Sequence, residues 1–370
     1  MQEAPKIDKE NINRFLCPNC GANMVFDAKL GKLACPYCAH AQEIVADGKV
    51  DERDYYEFLQ RGQQSLQPMA NNAMQVRCDS CGAIVNFTPP ETATWCDFCG
   101  VKIVAQPKAA DPLIAPEGVL PFSVPQDQAI SGFNRWLSSR WFAPSALKTM
   151  ASADKLSSIY IPYWTYDAST RSYYSGERGD WYYETEYYEE NGEQRSREVR
   201  HTNWYSRSGQ VGRFFDDVCI PATTSLPEKY IQKLEPWDLQ ELKSYEPAFL
   251  SGHKAQTYQI PLDEGFERFK RIAEGVIYND VRHDIGGDEQ RVHNVQTEYG
   301  DITFKHLLLP IYAGAYRFNN KVFQIVVNGR TGEVQGERPY SWMKIGCLVF
   351  VILAAILFIV MILAIIGASK

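Results

Sequence analysis

The sequence predicts a multidomain protein in which two small four-cysteine modules rich in β-hairpins precede a central α+β domain with a mostly antiparallel sheet and one C-terminal transmembrane helix. Three observations predict this fold class. Eight of the ten cysteines form two matching sets, the 370-residue chain is rich in strand-favouring tyrosine and phenylalanine, and residues 345–366 carry no charge. A chain of this length is too long for one ordinary core, so several folded units are expected.

Each cysteine set consists of two Cys-x-x-Cys pairs, and 14 residues separate the inner cysteines of each set. The second set repeats the first at an offset of 61 residues, and the Gly-Ala that follows Cys20 also follows Cys81. The pattern indicates an internal duplication, with a first module at residues 14–45 and a second at residues 75–104. The two sets are Cys17, Cys20, Cys35 and Cys38, and Cys78, Cys81, Cys96 and Cys99.

This spacing is typical of zinc ribbons, in which two Cys-x-x-Cys turns carry four thiolates to the corners of a tetrahedron around Zn²⁺. The N-terminus, Met1–Asp8, lacks the apolar stretch of a secretory signal, so a reducing compartment is expected and metal ligation is favoured over disulfides. Disulfides and a rubredoxin-like iron site are the alternatives for the same cysteines. The sequence therefore predicts two zinc ions, both structural, because no ligand position is left open for water.

The charge of the chain disfavours nucleic acid as the main partner. The formal net charge is −7, and residues 1–110 contain 11 lysines and arginines against 13 acidic residues. Each four-thiolate zinc centre would add a further charge of about −2. Phosphate binding usually requires a basic face, so the ribbons are predicted to contact proteins, and nucleic-acid binding stays open as the alternative.

Residues 345–366 form a 22-residue uncharged stretch, which as a helix would be about 33 Å long and would match the hydrocarbon core of a bilayer. Tyr340 and Trp342 stand just before it, where aromatic rings favour the headgroup region. The flanking charges, Arg338 and Lys344, weakly indicate by the positive-inside rule that the soluble part lies in the cytoplasm. The sequence therefore predicts a single-pass C-terminal tail anchor in the cell membrane, with the lipid bilayer as a partner.

Between the modules and the anchor, residues 105–125 read as a proline-rich extended linker and residues 126–340 as the central domain. Apolar periodicity predicts helices at residues 126–142, 227–234 and 262–278, and strands at residues 158–168, 291–298, 302–318 and 321–327, the first of them broken at Pro162. Asn191-Gly192 predicts a two-residue hairpin turn in which Glu186 faces Arg197. Ile161-Pro162-Tyr163 resembles Leu309-Pro310-Ile311, which hints at two related half-domains.

Catalytic signatures are missing from the sequence. It has no phosphate-binding loop of the G-x-x-x-x-G-K-[ST] type and no H-E-x-x-H pair. Cys219 has no neighbouring histidine and reads as a core cysteine rather than a nucleophile. The protein is therefore not expected to be an enzyme, although a central domain with a deep pocket and converging polar groups would support an activity without a motif.

Taken together, the duplicated ribbons, the segment IPYWTYDA, the hairpin YRFNNKVFQIVVNGRTGEVQG and the apolar C-terminal helix resemble bacterial double zinc-ribbon membrane proteins of the YdjG type. Members of this group are often labelled as TFIIB-type zinc-ribbon or primosomal-helicase-like proteins, but helicase activity would need the nucleotide-binding motifs that this chain lacks. The resemblance implies a membrane platform that recruits phage-shock-protein-A-like or SPFH-like proteins in membrane stress. We therefore expect a non-enzymatic adaptor or scaffold, with a membrane-tethered nucleic-acid binder as the alternative.

Overall fold

The computed structural model of the protein describes most of the central domain and parts of the N-terminal region. The described residues are 15–46, 48–61, 74–78, 84–87, 93–96, 98, 102–104, 108–109, 114–144, 156–319 and 321–368.

The described elements are mostly strands, grouped in several separate sheets. The strands are β1 Val25–Asp27, β2 Lys32–Ala34, β3 Ala41–Gln42, β4 Arg53–Asp54, β5 Met74–Arg77, β6 Ile84–Phe87, β7 Ala93–Trp95, β8 Lys102–Val104, β9 Lys108–Ala109, β10 Gly118–Val119, β11 Ser157–Glu190, β12 Glu193–Pro221, β13 Lys243–Ser244, β14 Lys254–Ala255, β15 Glu289–Phe318, β16 Lys321–Asn328 and β17 Val334–Gly336. The helices are α1 Tyr55–Arg61, α2 Gln126–Ser138, α3 Glu228–Ile231, α4 Leu262–Ile285 and α5 Trp342–Ala368, with short 3₁₀ turns at Gln232–Leu234, Leu239–Glu241 and Pro247–Leu250.

The central domain is built on one large sheet with the strand order β12-β11-β15-β10-β13. Strand β16 also pairs with β15, β17 with β16, and β14 with β11. Two pairings are parallel, β10 with β15 and β14 with β11, and the other described pairings of this sheet are antiparallel. The predicted α+β class with a mostly antiparallel sheet is therefore confirmed.

Strand β11 passes through three environments along its length. Between Ile159 and Ala168 every residue is buried, because both faces of the sheet are covered. From Ser169 to Gly176 burial alternates, because α4 covers one face and side chains of a strand point to opposite faces. From Trp181 to Glu190 every residue is exposed. Strand β15 no longer pairs with β11 beyond Gly179, so residues 180–203 project as a two-stranded hairpin arm.

The arm has the turn that the sequence predicts. Asn191 and Gly192 both have positive φ, 56° and 81°, as a two-residue turn between twisted antiparallel strands requires. Glu186 lies opposite Arg197, whose guanidinium donates to the Glu186 carboxylate at 2.8 Å and 3.1 Å. The predicted hairpin and its cross-strand ion pair are confirmed.

The central domain is an internal duplication with pseudo-twofold symmetry. Strands β11 and β15 are antiparallel neighbours that meet at Ile161 and Leu309, the two segments that the sequence pairs by resemblance. Each half consists of a short strand, a helix, a long strand and a returning strand. Each short strand pairs with the long strand of the other half, in equivalent register: Gly118 with Leu307 in one case and Lys254 with Ile159 in the other. The two halves therefore share one sheet.

Hydrogen bonds at the helix starts repeat this symmetry. Tyr312 donates its hydroxyl to the carbonyl of Val124 at 2.6 Å, and Trp164 donates its indole N–H to the carbonyl of Ile260 at 2.9 Å. Both acceptors come directly before the proline that precedes a helix, α2 in one half and α4 in the other. The halves differ mainly in length, since β11 and β12 extend into the arm, whereas β15 and β16 are joined after eight paired residues on each strand.

Two predicted features differ from the structure. The segment 114–125, assigned to an extended linker, contains strand β10 and the fully buried side chains of Val119 and Leu120. Prolines are interspersed among its apolar residues, and they favour an extended backbone. An inner strand has an extended backbone too, so the prolines do not distinguish a linker from such a strand. The predicted break at Pro162 is wrong, because β11 continues through it and the Pro162 carbonyl accepts a hydrogen bond from the N–H of Ala222 at 2.9 Å.

Helix α5 is the one helix of the described chain that is long and apolar enough to cross a membrane, with the candidate span at Trp342–Ile362 and a mean hydropathy of 3.3. The span is not buried within the protein. By length and composition such a helix is suited to a bilayer.

Candidate metal centre

The first cysteine set forms a compact cluster. The four sulfur atoms of Cys17, Cys20, Cys35 and Cys38 all lie within 4.8 Å of one another. The Sγ atoms of Cys17 and Cys38 are 3.4 Å apart, and those of Cys20 and Cys35 are 3.5 Å apart. Sulfur atoms at the corners of a tetrahedron with metal–sulfur bonds of about 2.3 Å would be about 3.8 Å apart. No disulfide joins these four cysteines.

Two similar backbone turns hold the cluster. In the first turn the N–H of Gly21 donates to the carbonyl of Cys17 at 2.8 Å, and in the second the N–H of Ala39 donates to the carbonyl of Cys35 at 3.0 Å. Gly21 has φ of 72° and Ala39 has φ of 58°, so both turns end in the left-handed region. The sequence predicts positive φ at Gly21, because glycine adopts it readily. It gives no such signal at Ala39, which adopts the same conformation with a Cβ atom.

The electrostatics of the cluster suit a bound cation. Backbone N–H groups of Cys38 and Tyr37 lower the pKa of the Cys35 thiol to about 6. The backbone N–H of His40 lowers the pKa of Cys38, but the thiol of Cys17, desolvation and the thiols of Cys35 and Cys20 together outweigh it and raise that pKa to about 12. Four thiolates at these distances repel one another, and a divalent metal ion removes the repulsion by binding all four. The cluster could therefore hold one tetrahedral metal ion with no ligand position left for a substrate.

The first module is not structurally independent, because one face of it packs on the central domain. Phe26 is buried against Phe249, with ring centroids 5.6 Å apart, and the N–H of Phe26 donates to the carbonyl of Ser251 at 2.8 Å. The hydroxyl of Ser251 returns a hydrogen bond to the carbonyl of Met24 at 2.7 Å. The hairpin β1–β2 is thus fixed to the 3₁₀ turn that precedes β14.

We expect Phe26→Ala to release the module from the central domain without loss of its metal. Removing this buried ring sacrifices roughly 2–3 kcal/mol of apolar burial, which corresponds to an increase of about 30- to 150-fold in the undocked population. Hydrogen exchange in the Pro247–Leu250 turn and in β1 should rise accordingly, whereas the metal content stays unchanged. Leu30→Ala, at an exposed position of the same hairpin, is the matched control. Equal protection in the two variants would contradict this docking.

The second module repeats the backbone pairing of the first. Leu16 pairs with Asn23 beside Cys17, and Arg77 pairs with Ile84 beside Cys78, which are equivalent positions at the 61-residue offset. Likewise Ala34 pairs with Ala41, and Trp95 pairs with Lys102. Cys78 and Cys96 are buried, as are their equivalents Cys17 and Cys35. Cys81 and Cys99 lie outside the described residues, so a second four-sulfur cluster stays a prediction.

The two modules contact opposite faces of the central sheet. Cys78, Cys96 and Phe98 pack with the odd-numbered face, which includes Ile161 and Leu309, and the Phe98 carbonyl accepts a hydrogen bond from the side chain of Gln324 at 3.0 Å. Phe26 of the first module packs with the even-numbered face, which includes Tyr160 and Leu308. Successive side chains of β11 and β15 point to opposite faces of the sheet, so the two modules pack on opposite sides of it.

The central domain holds a cavity of about 550 Å³ between the end of β12 and α4, lined in part by Cys219, Glu235 and Arg268. Burial raises the pKa of the Cys219 thiol, so the thiol stays protonated near neutral pH and is a poor nucleophile. Burial also raises the pKa of Glu235 to about 7. The raised pKa of the Cys219 thiol agrees with the interpretation of Cys219 as a packing residue.

Sequence reasoning missed two features near the start of helix α5. Trp141 follows α2 as an exposed residue beside the start of α5, and Arg140 lies over the ring of Trp136. The sequence signal was the pair Arg140-Trp141 just after the amphipathic helix α2. The apolar periodicity of that helix accounts for Trp136 but does not require a tryptophan at position 141.

Comparison with known proteins gives a similarity over nearly the whole chain. No family model matches the sequence, and no solved structure matches it. A curated relative named "Uncharacterized protein YdjG", from Bacillus subtilis (strain 168), is 26% identical over 348 residues, which cover 90% of this chain and 92% of that protein. The similarity extends far beyond the cysteine modules, and the name of the relative assigns no activity.

Proposed function

We propose that the protein is a membrane-anchored zinc-ribbon adaptor or scaffold that presents protein-docking surfaces in the cytoplasm. One observation carries the proposal: a four-cysteine module is fixed to a domain that carries a helix apolar enough to cross a membrane, and several apolar side chains of the module are exposed. Tyr37, Leu16 and Leu30 are 82%, 56% and 52% exposed, whereas Phe26 and Met24 face inward. Exposed apolar residues on a rigid module are suited to protein contact.

Zinc is the ion that we propose for both cysteine sets. Four thiolates with no open position match structural zinc, and such a metal supplies the stability that a module of about 30 residues lacks. For the first set the support is the sulfur cluster, and for the second it is the repeated register and the buried Cys78 and Cys96.

The charge of the first module favours protein over nucleic acid. In residues 15–46, Lys29 and Lys32 are balanced by Asp27 and Glu43, and Lys32 is paired with Glu43 at 2.6 Å. A zinc centre with four thiolates would then leave the module with a charge of about −2. A negative module repels phosphate, so nucleic-acid binding remains the alternative rather than the leading proposal.

For the partners we propose phage-shock-protein-A-like or SPFH-like proteins, which the resemblance to the YdjG type suggests. The soluble part is proposed to face the cytoplasm, where thiolates remain reduced and available to zinc. Confinement to the membrane surface raises the effective concentration of any partner that is also held there.

Affinity capture of the full-length protein from its own membranes tests the proposal. We expect at least one protein to be captured specifically, and Tyr37→Ser with Leu30→Ser to reduce its recovery about tenfold or more, because these side chains form the exposed face. Quantitative mass spectrometry measures the recovery, and the same partner, once purified, should bind the wild type directly.

Tyr187→Ser is the matched control, since Tyr187 is 73% exposed but lies in the hairpin arm. A partner lost equally in this control and in the Tyr37 variant would contradict docking on the ribbon. Recovery of nucleic acid, with binding that weakens steeply as salt increases, would replace the adaptor with the tethered nucleic-acid binder.

A further inference from the structure

The loop that follows α2 is tied to the first turn of α5. The N–H of Ser341 donates to the carbonyl of Phe142 at 2.8 Å. The ammonium group of Lys344 donates to the carbonyls of Trp141 and Ala143, at 3.3 Å and 2.7 Å. The position of Trp141 relative to the bilayer is therefore set by α5 itself.

Exposed apolar side chains concentrate at this junction. Trp141, Trp342 and Met343 are 76%, 82% and 79% exposed, and Tyr340 is 55% exposed. In water such a cluster would be costly, whereas tryptophan and tyrosine are favoured at the level of lipid headgroups. The junction is thus suited to the membrane interface, with Trp141 as a contact separate from the spanning helix.

An apolar groove of about 770 Å³ lies between Trp141 and α5. Met343, Cys347 and Val351 line it at intervals of four residues, so the groove follows one face of the helix for about 12 Å. It begins where the helix enters its apolar stretch. With α5 in a bilayer, as proposed, the groove would be continuous with the hydrocarbon region and open to lipid.

A second cavity, of about 360 Å³, lies on the other side of the last turn of α2 and is lined in part by Trp136, Arg140, Arg338 and Tyr340. The Arg140 guanidinium lies 4.9 Å from the centre of the Trp136 ring, and that of Arg338 lies 5.4 Å from the centre of the Tyr340 ring. Within the described part of the chain, the buried Nε of Arg140 has no hydrogen-bond partner.

The carboxylate that lines this cavity, Glu337, does not neutralise Arg140 and Arg338. Glu337 also lines the cavity, but it forms an ion pair with Lys229 at 3.4 Å. Among the described residues, no carboxylate forms an ion pair with Arg140 or Arg338. The cavity thus keeps a positive charge that a phosphate could offset through paired hydrogen bonds from guanidinium groups.

We propose that this juxtamembrane site binds one anionic phospholipid of the surrounding bilayer, with an acyl chain in the groove beside Trp141 and the phosphate at Arg140 and Arg338. The inference rests on the proposed membrane anchoring by α5. The bound lipid would fix the orientation of the central domain above the membrane, because it connects α2 with the first turns of α5.

Native mass spectrometry of the full-length protein tests the headgroup contact. After extraction from vesicles of phosphatidylcholine and phosphatidylglycerol, we expect one phosphatidylglycerol to be retained in preference to phosphatidylcholine. Arg140→Gln with Arg338→Gln should lower its apparent affinity about 10- to 30-fold, from the loss of two interfacial arginines. The matched control is Arg200→Gln with Arg291→Gln, because each of these arginines also lies over an aromatic ring, Arg200 in the arm and Arg291 near its base on β15. Equal retention in the two double variants would overturn the proposal.

Quenching by brominated lipids tests the position of Trp141. In nanodiscs with bromine-labelled acyl chains, Trp141→Phe should lose a measurable part of the quenched emission, and Trp181→Phe in the arm should lose none. Unchanged quenching in Trp141→Phe would place this residue outside the bilayer and refute the groove.

Two additional measurements separate this proposal from its premises. If millimolar inorganic phosphate displaces the retained lipid as effectively as added phosphatidylglycerol does, the site takes a soluble anion and the lipid proposal is refuted. All the variants keep α5, so they should resist extraction from membranes by alkaline carbonate. Release of the wild type by carbonate would instead refute the membrane anchor itself.

Discussion

Purified full-length protein is expected to contain about two zinc ions per chain, and Cys17→Ser with Cys35→Ser is expected to remove one of them together with the fold of the first module. Each zinc ion bound by four thiolates contributes on the order of 10 kcal/mol or more to a ribbon that has little core of its own. Loss of two thiolates leaves too few ligands for such binding. Atomic emission measures the metal, and proteolysis within residues 15–46 measures the fold.

Cys78→Ser with Cys96→Ser should remove the other zinc ion, and the quadruple variant should hold almost none. Cys219→Ser is the control, since this thiol lies in the central domain and belongs to neither set. A wild type with one zinc ion that is insensitive to the Cys78 and Cys96 changes would show that the second module binds no metal. Iron in place of zinc would identify a rubredoxin-like site instead.

Local patterns in the sequence were sufficient to predict the elements that depend on local chemistry. The Cys-x-x-Cys spacing predicted the cluster of Cys17, Cys20, Cys35 and Cys38, because metal ligation depends on a few residues close in sequence. Asn191-Gly192 predicted its hairpin for the same reason, since positive φ at two successive residues is a local requirement.

Features set by long-range contacts were harder to predict. The prolines of segment 105–125 indicate an extended chain, but only the neighbouring β15 and β13 make Gly118–Val119 an inner strand. Docking of the first module depends on Phe26 meeting Phe249, two residues that no sequence periodicity connects. The half-domains were visible as a short resemblance, whereas the exchange of short strands between them depends on the sheet as a whole.

Phe133→Ala and Phe269→Ala are each expected to lower the free energy of unfolding by about 3–5 kcal/mol, and both should act on the same unfolding transition. These two phenylalanines are equivalent in the two half-domains, at an offset of 136 residues, and both are almost fully buried. Phe133 lies on α2, and Phe269 lies on α4 within 5.7 Å of the ring of Tyr166 and 5.6 Å of that of Phe215.

The shared sheet is the reason for a common transition. Strand β10 of the first half pairs with β15, and β14 of the second half pairs with β11, so neither half keeps its sheet when the other unfolds. Urea titration of the detergent-solubilised protein, followed by tryptophan fluorescence and by proteolysis, measures the transition. Ile272→Ala is the control, because Ile272 lies on α4 but is 44% exposed, and it should cost less than about 1 kcal/mol. Two transitions, with Phe133→Ala shifting one and Phe269→Ala the other, would mean that the halves fold independently and that strand exchange does not couple them.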